Sequence, residues 1–291
     1  MARLTVLTTA LLVATSPLCG GATGGQTRGV VQAAAGISHR SLYAQSARQI
    51  LDREFKSKDL SYLLFDAQAG TLLASRWPEA DQPIPLGSLV KPFTALAYAE
   101  HHAYRYPVYV CRGAASGCWQ QRPHGKLNLV SAMAYSCNSY FREMTSHLTG
   151  DQVREISTQF GFDSPAPALT GPPLMGLGDE WPISPLRLAH AYLELADRRE
   201  EPGVREILMG MEDSAKWGTG AGVGRALKHS HALVKTGTAV CRHAQRAPGD
   251  GFVIALAPAE QPELLLMIRV HGVPGATAAV TAGKMLARLE Q

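Results

Sequence analysis

Residues 85–100 read PLGSLVKPFTALAYAE: a glycine turn, a serine, a lysine three positions on, and a proline beside it, all at the head of an apolar segment. The chain has only eight lysines, so one placed here calls for a reason. The pattern predicts a helix starting near Ser88, which sets Lys91 on the same face one turn later, within reach of the serine hydroxyl. Pro92 fits, because a first turn has few intrahelical N–H bonds to lose. The serine then sits at the positive end of the helix dipole, and its own N–H can bind a developing oxyanion.

A serine becomes a useful nucleophile only when a base takes its proton. Lysine serves as that base only as the neutral amine, so its pKa must fall from about 10.4 toward 7, through burial and a second nearby cation. The stretch LVKTGTAV, residues 233–240, supplies a candidate cation in Lys235, on a β-branched run that reads as a strand. Gly237 admits close backbone approach, and the hydroxyls of Thr236 and Thr238 can hold a carboxylate. If this strand lies at a sheet edge, an extended peptide can add to it. Between the two stretches lies AYSCNSYF, residues 134–141, with Ser136 and Asn138 two apart in a chain that has only two asparagines. Each motif alone is weak. Yet SxxK and SxN each occur once, and the three come in the order SxxK, SxN, KTG, with the serines 48 residues apart and Lys235 a further 99 along.

That ordered triple is the signature of penicillin-binding proteins and class A β-lactamases, and the flanking sequence resembles penicillin-binding transpeptidases over roughly residues 60–290. The segments that carry the resemblance are GSLVKPFTALAYAE, HGKLNLVSAMAYSCNSYF, GLGDEWPISPLRLAHAYLELAD, and VKTGTAV with GFVIALAP. The resemblance implies an α+β fold, an antiparallel sheet flanked by helices with a mostly helical subdomain. It implies Ser88 as acylated nucleophile, Lys91 as general base, Ser136 as proton relay and Lys235 as the source of positive potential. Asn138 would hold the substrate amide, while Thr236, Gly237 and Thr238 would line the carboxylate end. The N–H groups of Ser88 and Thr238 would form the oxyanion hole. The implied substrate is a D-alanyl-D-alanine peptide of peptidoglycan, with β-lactams as mimics, and no metal or organic cofactor is implied. The alternatives are a serine β-lactamase and a muropeptide or β-lactam sensor without turnover.

The chain also departs from the family pattern. There is little room before Leu60 for the non-catalytic region such transpeptidases usually carry. Val234 stands where many relatives have glycine, which is expected to narrow the groove. Glu180 lies at a plausible distance for a deacylating glutamate, but DEWPIS lacks the asparagine expected behind it, so it reads as a loop residue. Class D β-lactamases tend to have valine where this chain has Asn138.

The rest of the chain bounds these readings. A formal charge of +4, scattered among acids, gives no nucleic-acid footprint. Residues 1–24 read as a secretory signal peptide, with an early arginine and an apolar run from Leu4 to Ala14. That run is shorter than the roughly 20 residues needed to span a bilayer. Cleavage would leave an exported protein of the periplasm or envelope; an uncleaved segment would associate it with the membrane, and the family resemblance leaves room for a cell-envelope protein partner. Residues 25–45 read as a linker and 46–291 as the catalytic domain. In an oxidising compartment, Cys111 and Cys118 around a short glycine-containing loop read as a disulfide. Their spacing matches no zinc knuckle, and His124 reads as structural. The glycine run 218–224 lacks the context of a nucleotide site and reads as a loop. Helical spacing begins near Ala47. Strands are expected in SYLLFDA, GTLLASR, HALVKTGTAV, GFVIALA and ELLLMIRV, with a helical middle and a last helix in AAVTAGKMLARL, so one sheet draws on both ends of the chain.

Overall fold

A computed structural model describes residues 39–241 and 247–290. The expected signal segment and residues 25–38 of the expected linker lie outside the described residues. The first described element is helix α1 (His39–Glu54), so residues 39–45 of the stretch read as a linker are helical. Two strands follow, β1 (Leu60–Asp66) and β2 (Thr71–Ser75), paired antiparallel as the sequence predicts. Asp66 makes their turn, its carboxylate accepting from the Ala69 N–H at 2.9 Å.

The middle is mostly helical: α2 (Lys91–His101), then a short hairpin of β3 (Tyr109–Cys111) and β4 (Gly125–Leu127), then α3 (Leu129–Ala134), α4 (Asn138–Thr145), α5 (Gly150–Gln159), α6 (Pro185–Asp197), α7 (Val204–Lys216) and α8 (Ala221–Gly224). Side-chain caps set several of these starts. Asn128 and Thr149 close capping boxes on α3 and α5, and Ser184 caps α6 with Pro185 in its first turn. The β3–β4 hairpin was not foreseen, because three-residue strands are too short to show a period of two. Strands β5 (Leu233–Ala239), β6 (Asp250–Ala257) and β7 (Leu264–His271) and the helix α9 (Gly275–Leu289) complete the chain.

The five long strands form one sheet in the order β2-β1-β7-β6-β5, with every pairing antiparallel. Both ends of the chain contribute to it, as expected. Alternation along the strands feeds two cores. Leu233, Phe252, Ile254, Leu265 and Met267 pack with the helical middle, against residues such as Phe93, Tyr140 and Tyr192. Val234, Val253, Ala255, Leu266 and Ile268 face the other way, onto Ala47 and Leu51 of α1 and Ala278, Ala282 and Leu286 of α9. Strand β5, which carries the KTG motif, is an edge of the sheet.

Candidate active site

The serine does not lie on α2 itself. Residues Gly87–Val90 form a 3₁₀ turn, and α2 begins at Lys91 with Pro92 in its first turn. Gly87 has φ +59°, and a Cβ added there would stand 2.4 Å from the Thr238 carbonyl oxygen. Across the same contact, a Cβ on Gly237 would lie 2.5 Å from the Leu86 carbonyl oxygen. The two glycines let the turn before Ser88 and the KTG strand touch backbone to backbone.

The SxN motif fills the space beside them. Ser136 ends the α3 turn with φ +49°, a left-handed conformation that a residue with a side chain adopts only when its surroundings enforce it. The Lys91 amine donates to the Ser136 carbonyl at 2.9 Å, to Asn138 Oδ1 at 2.7 Å and, more weakly, to Ser136 Oγ at 3.4 Å. The Lys235 amine donates to the same Ser136 Oγ at 2.9 Å and to the Thr236 carbonyl at 2.7 Å. Thr236 Oγ1 reaches Thr219 Oγ1 at 2.7 Å, and Thr238 Oγ1 accepts from the Gly275 N–H at 2.9 Å.

Both lysines are fully buried. Burial pushes the Lys91 amine down to about 7, against a smaller upward pull from the sulfurs of Cys137 and Cys118. Burial and then the charge of Lys91 hold Lys235 well below the ordinary lysine range. Lys91 and Ser88, expected within reach of each other, share no hydrogen bond among the described residues. Lys91 is turned to the SxN motif, and the half-buried Ser88 hydroxyl makes no hydrogen bond among the described residues. With its Oδ1 committed to Lys91, Asn138 keeps its amide N–H donors for another partner.

Several sequence expectations change on the opposite side of this motif. No disulfide joins Cys111 to Cys118. Their sulfurs instead both face His124 Nδ1, at 3.5 and 3.6 Å, and Cys118 Sγ lies 3.7 Å from Cys137 Sγ. The β3–β4 hairpin folds the loop so that the two cysteines converge on the histidine. His124 is thus more than a residue before a helix, and its ring also stacks on Tyr135 at 4.4 Å. These four residues and, separately, Cys241, Asp250 and His271 are the two groupings of metal-binding side chains among the described residues. Val234 does not narrow the groove. It points into the second core, where a Cβ on Gly220 would meet its Cγ1 at 2.5 Å. Glu180 is an exposed loop residue, in keeping with the sequence reading.

A cavity of about 430 Å³ adjoins the site, lined by Trp119, His124, Tyr135, Trp217, Thr219 and others. Nothing in the sequence linked these aromatic residues to the three motifs, and Thr219 lay inside a glycine run read as a plain loop. A larger cavity of about 700 Å³ lies away from this chemistry, between α1, α9 and strand ends β1 and β7.

Known proteins give the arrangement its context. No curated protein matches the chain by sequence. Among solved structures, the chain is similar to Pseudomonas aeruginosa PBP2 in complex with WCK 5153, at 16% identity and TM-score 0.69, covering 86% of this chain and 73% of that one. It is similar to Helicobacter pylori PBP2 in its complex with MreC, at 18% identity and TM-score 0.71, covering 84% of this chain but only 62% of that one. A third similar structure is the D,D-transpeptidase domain of a peptidoglycan glycosyltransferase from Eggerthella lenta, at 17% identity and TM-score 0.64, covering 85% and 81%. At these identities the likeness speaks for the fold. Residues 60–289 match the penicillin-binding protein transpeptidase domain, and with that span covering most of the described fold and all three motifs, the chain belongs to that family.

Proposed function

We propose that the chain is a serine acyltransferase that acts on D-alanyl-D-alanine peptides of peptidoglycan through an acyl-enzyme on Ser88. The observation that carries this reading is the Ser136 hydroxyl held between two buried lysine amines, next to a serine turn seated against the KTG strand. Neutral Lys91 keeps two N–H donors, enough for Ser136 O and Asn138 Oδ1, and its lone pair can then accept a proton from a hydroxyl. Substrate enters along the edge of β5, its terminal carboxylate meeting Lys235 and the threonine hydroxyls of the KTG motif. Ser88 Oγ gives its proton to Lys91 Nζ and bonds the penultimate carbonyl carbon. The oxyanion is stabilised by the N–H groups of Ser88 and Thr238. The tetrahedral species collapses as the C–N bond breaks, and the leaving amine takes its proton from Lys91 by way of Ser136. An incoming amine or water then releases the acyl group.

The proposed setting is the cell envelope, where a protein partner is also proposed; the Helicobacter pylori relative was solved in complex with MreC. Among the described residues no helix is long and apolar enough to cross a membrane. Intact-mass spectrometry of the protein mixed with a penicillin, followed over seconds to hours with Ser88→Ala as control, tests the chemistry. A lasting adduct absent from the control is expected. An adduct that clears quickly while hydrolysed drug accumulates would favour a β-lactamase, and no adduct at all would overturn the nucleophile assignment.

A further inference from the structure

We propose that Cys111, Cys118, His124 and Cys137 bind one zinc-class divalent cation in a closed Cys3His tetrahedron directly behind the Ser136–Asn138 motif. All four donor atoms lie within 4.8 Å of one another, with the three cysteines buried and His124 half-buried. A tetrahedral zinc with Zn–S of about 2.3 Å and Zn–N of about 2.0 Å sets its donors about 3.7 Å apart for two sulfurs and about 3.5 Å for sulfur and nitrogen. The separations found are 3.7 Å for Cys118–Cys137, 3.5 Å for Cys111–His124 and 3.6 Å for Cys118–His124. Both sulfur–nitrogen contacts converge on the same atom, His124 Nδ1, which identifies it as the donor nitrogen.

Thiol pairing explains the cluster less well. With three cysteines present, any internal disulfide leaves an odd buried thiol, whereas one cation uses all three sulfurs and the imidazole. The surroundings also suit a thiolate. Cys111 Sγ accepts from Ser139 Oγ at 3.2 Å and from the Gly113 N–H at 3.4 Å, and Ser139 is in turn fixed by Ser116 at 3.1 Å. The linear spacing, Cys-x6-Cys-x5-His-x12-Cys, matches no zinc-finger pattern, because the ligands come from a hairpin and a helix cap that meet only in the fold.

The location gives the centre a role. Cys137 stands between Ser136 and Asn138 and is the N-cap of α4, while His124 stacks on Tyr135, the residue before Ser136. The cation would therefore tie the hairpin to both flanks of a tripeptide whose first residue is held at φ +49°. It takes no part in the reaction; it positions the SxN side chains. The inference is independent of the Ser88 chemistry, since metal content is read without turnover.

The test begins with elemental analysis of the full chain, produced with zinc in the medium and dialysed without chelator. About one zinc per chain is expected. Exchange for cobalt(II) should give the intense visible bands of a tetrahedral site together with sulfur-to-cobalt charge transfer, and a chelator should expose three further thiols to a thiol reagent. In Cys118→Ser and His124→Ala, zinc retention should fall at least tenfold, while Cys241→Ser should keep both zinc and spectrum. If those variants do not fold, the cobalt spectrum and thiol count of the unaltered protein still decide. A folded protein with under a tenth of an equivalent of metal and no cobalt bands would overturn the proposal, as would a disulfide among the three cysteines in native protein. Bands lost in Cys241→Ser but kept in Cys118→Ser would overturn it too, by moving the metal to Cys241, Asp250 and His271.

Discussion

The tripeptide Ser136-Cys137-Asn138 has two sides built from different chemistry. Ser136 and Asn138 turn toward a pair of buried lysine amines, and Cys137 between them turns toward two other cysteines and a histidine. On the lysine side, hydrogen bonds between 2.7 and 2.9 Å converge from α2 and β5, elements from the two halves of the fold. On the sulfur side, the contacts come from one hairpin and the cap of α4. A left-handed serine costs energy of order 1–3 kcal/mol and persists only where its neighbours overdetermine it. The comparison teaches that this motif is gripped from both flanks, so the two grips can be loosened separately and their effects told apart.

The largest effect should come from the lysine side. Replacing Lys91 by alanine removes the proposed base and should slow penicillin acylation about 10²–10⁴-fold by stopped-flow or timed intact mass. Asn138 Oδ1 and the Ser136 carbonyl lose a donor, but a costly buried amine goes with it, so the protein should still unfold cooperatively. Acylation that survives within tenfold would leave Lys91 as a structural cation and shift the base to Lys235.

Next in size is the seat of the serine turn. Gly87→Ala puts a methyl group 2.4 Å from the Thr238 carbonyl oxygen at a position with φ +59°, and should cost about 3 kcal/mol of stability through left-handed strain and overpacking. Gly70 makes the matched control. Its φ is +63° and nothing lies within 4 Å of an added Cβ, so Gly70→Ala should cost only about 1–2 kcal/mol. Equal losses in urea melts of the two variants would mean that the contact between the first and third motifs carries no energy of its own.

A smaller effect follows from the Lys91 amine being pushed down to about 7 by burial. Only the neutral amine takes a proton, and its fraction grows as pH rises through that value. The acylation rate should therefore climb about tenfold per unit below pH 6 and level off above about pH 8. A rate still climbing beyond pH 9 would mean that burial does not depress this amine in solution.

The lysine side was legible in the sequence and the sulfur side was not, for a physical reason. The roles proposed for Ser88, Lys91, Ser136, Asn138 and Lys235 name one another: a nucleophile needs a base, and a lysine base needs a second cation. Three weak motifs in a fixed order thus pointed to one site, and the hairpin and terminal-strand patterns pointed to one sheet. The cysteines and His124 had only local spacing to read, and local spacing suggested a disulfide. Their convergence depends on β3 and β4, three-residue strands with no periodic signal, and on a cysteine brought in by the cap of α4. Val234 was misread for a related reason. Its neighbour Lys235 faces the site, and strand alternation sends Val234 to the opposite face. The helix start was misplaced by three residues, because a glycine turn leading into Lys91-Pro92 fits a 3₁₀ turn and a helix equally well.

The smallest expected effect concerns the loop that bears Glu180, and it separates the two enzyme readings. The loop is pinned through Asp163, whose carbonyl accepts from Trp181 Nε1 at 2.8 Å and whose carboxylate accepts from the Ser184 N–H and from Arg187 at 2.8 Å each. Those bonds fix Trp181 inward, and Glu180, one residue before it, is left exposed. A carboxylate in that exposed position has no shelter in which to hold a water against an acyl carbonyl. Glu180→Gln should thus leave both the rate of acylation and the lifetime of the penicillin adduct within twofold of the unaltered protein. An adduct that lives ten times longer in Glu180→Gln would mean that the loop closes over the site once Ser88 is acylated, with Glu180 activating the deacylating water, and the β-lactamase reading would then replace the transpeptidase one.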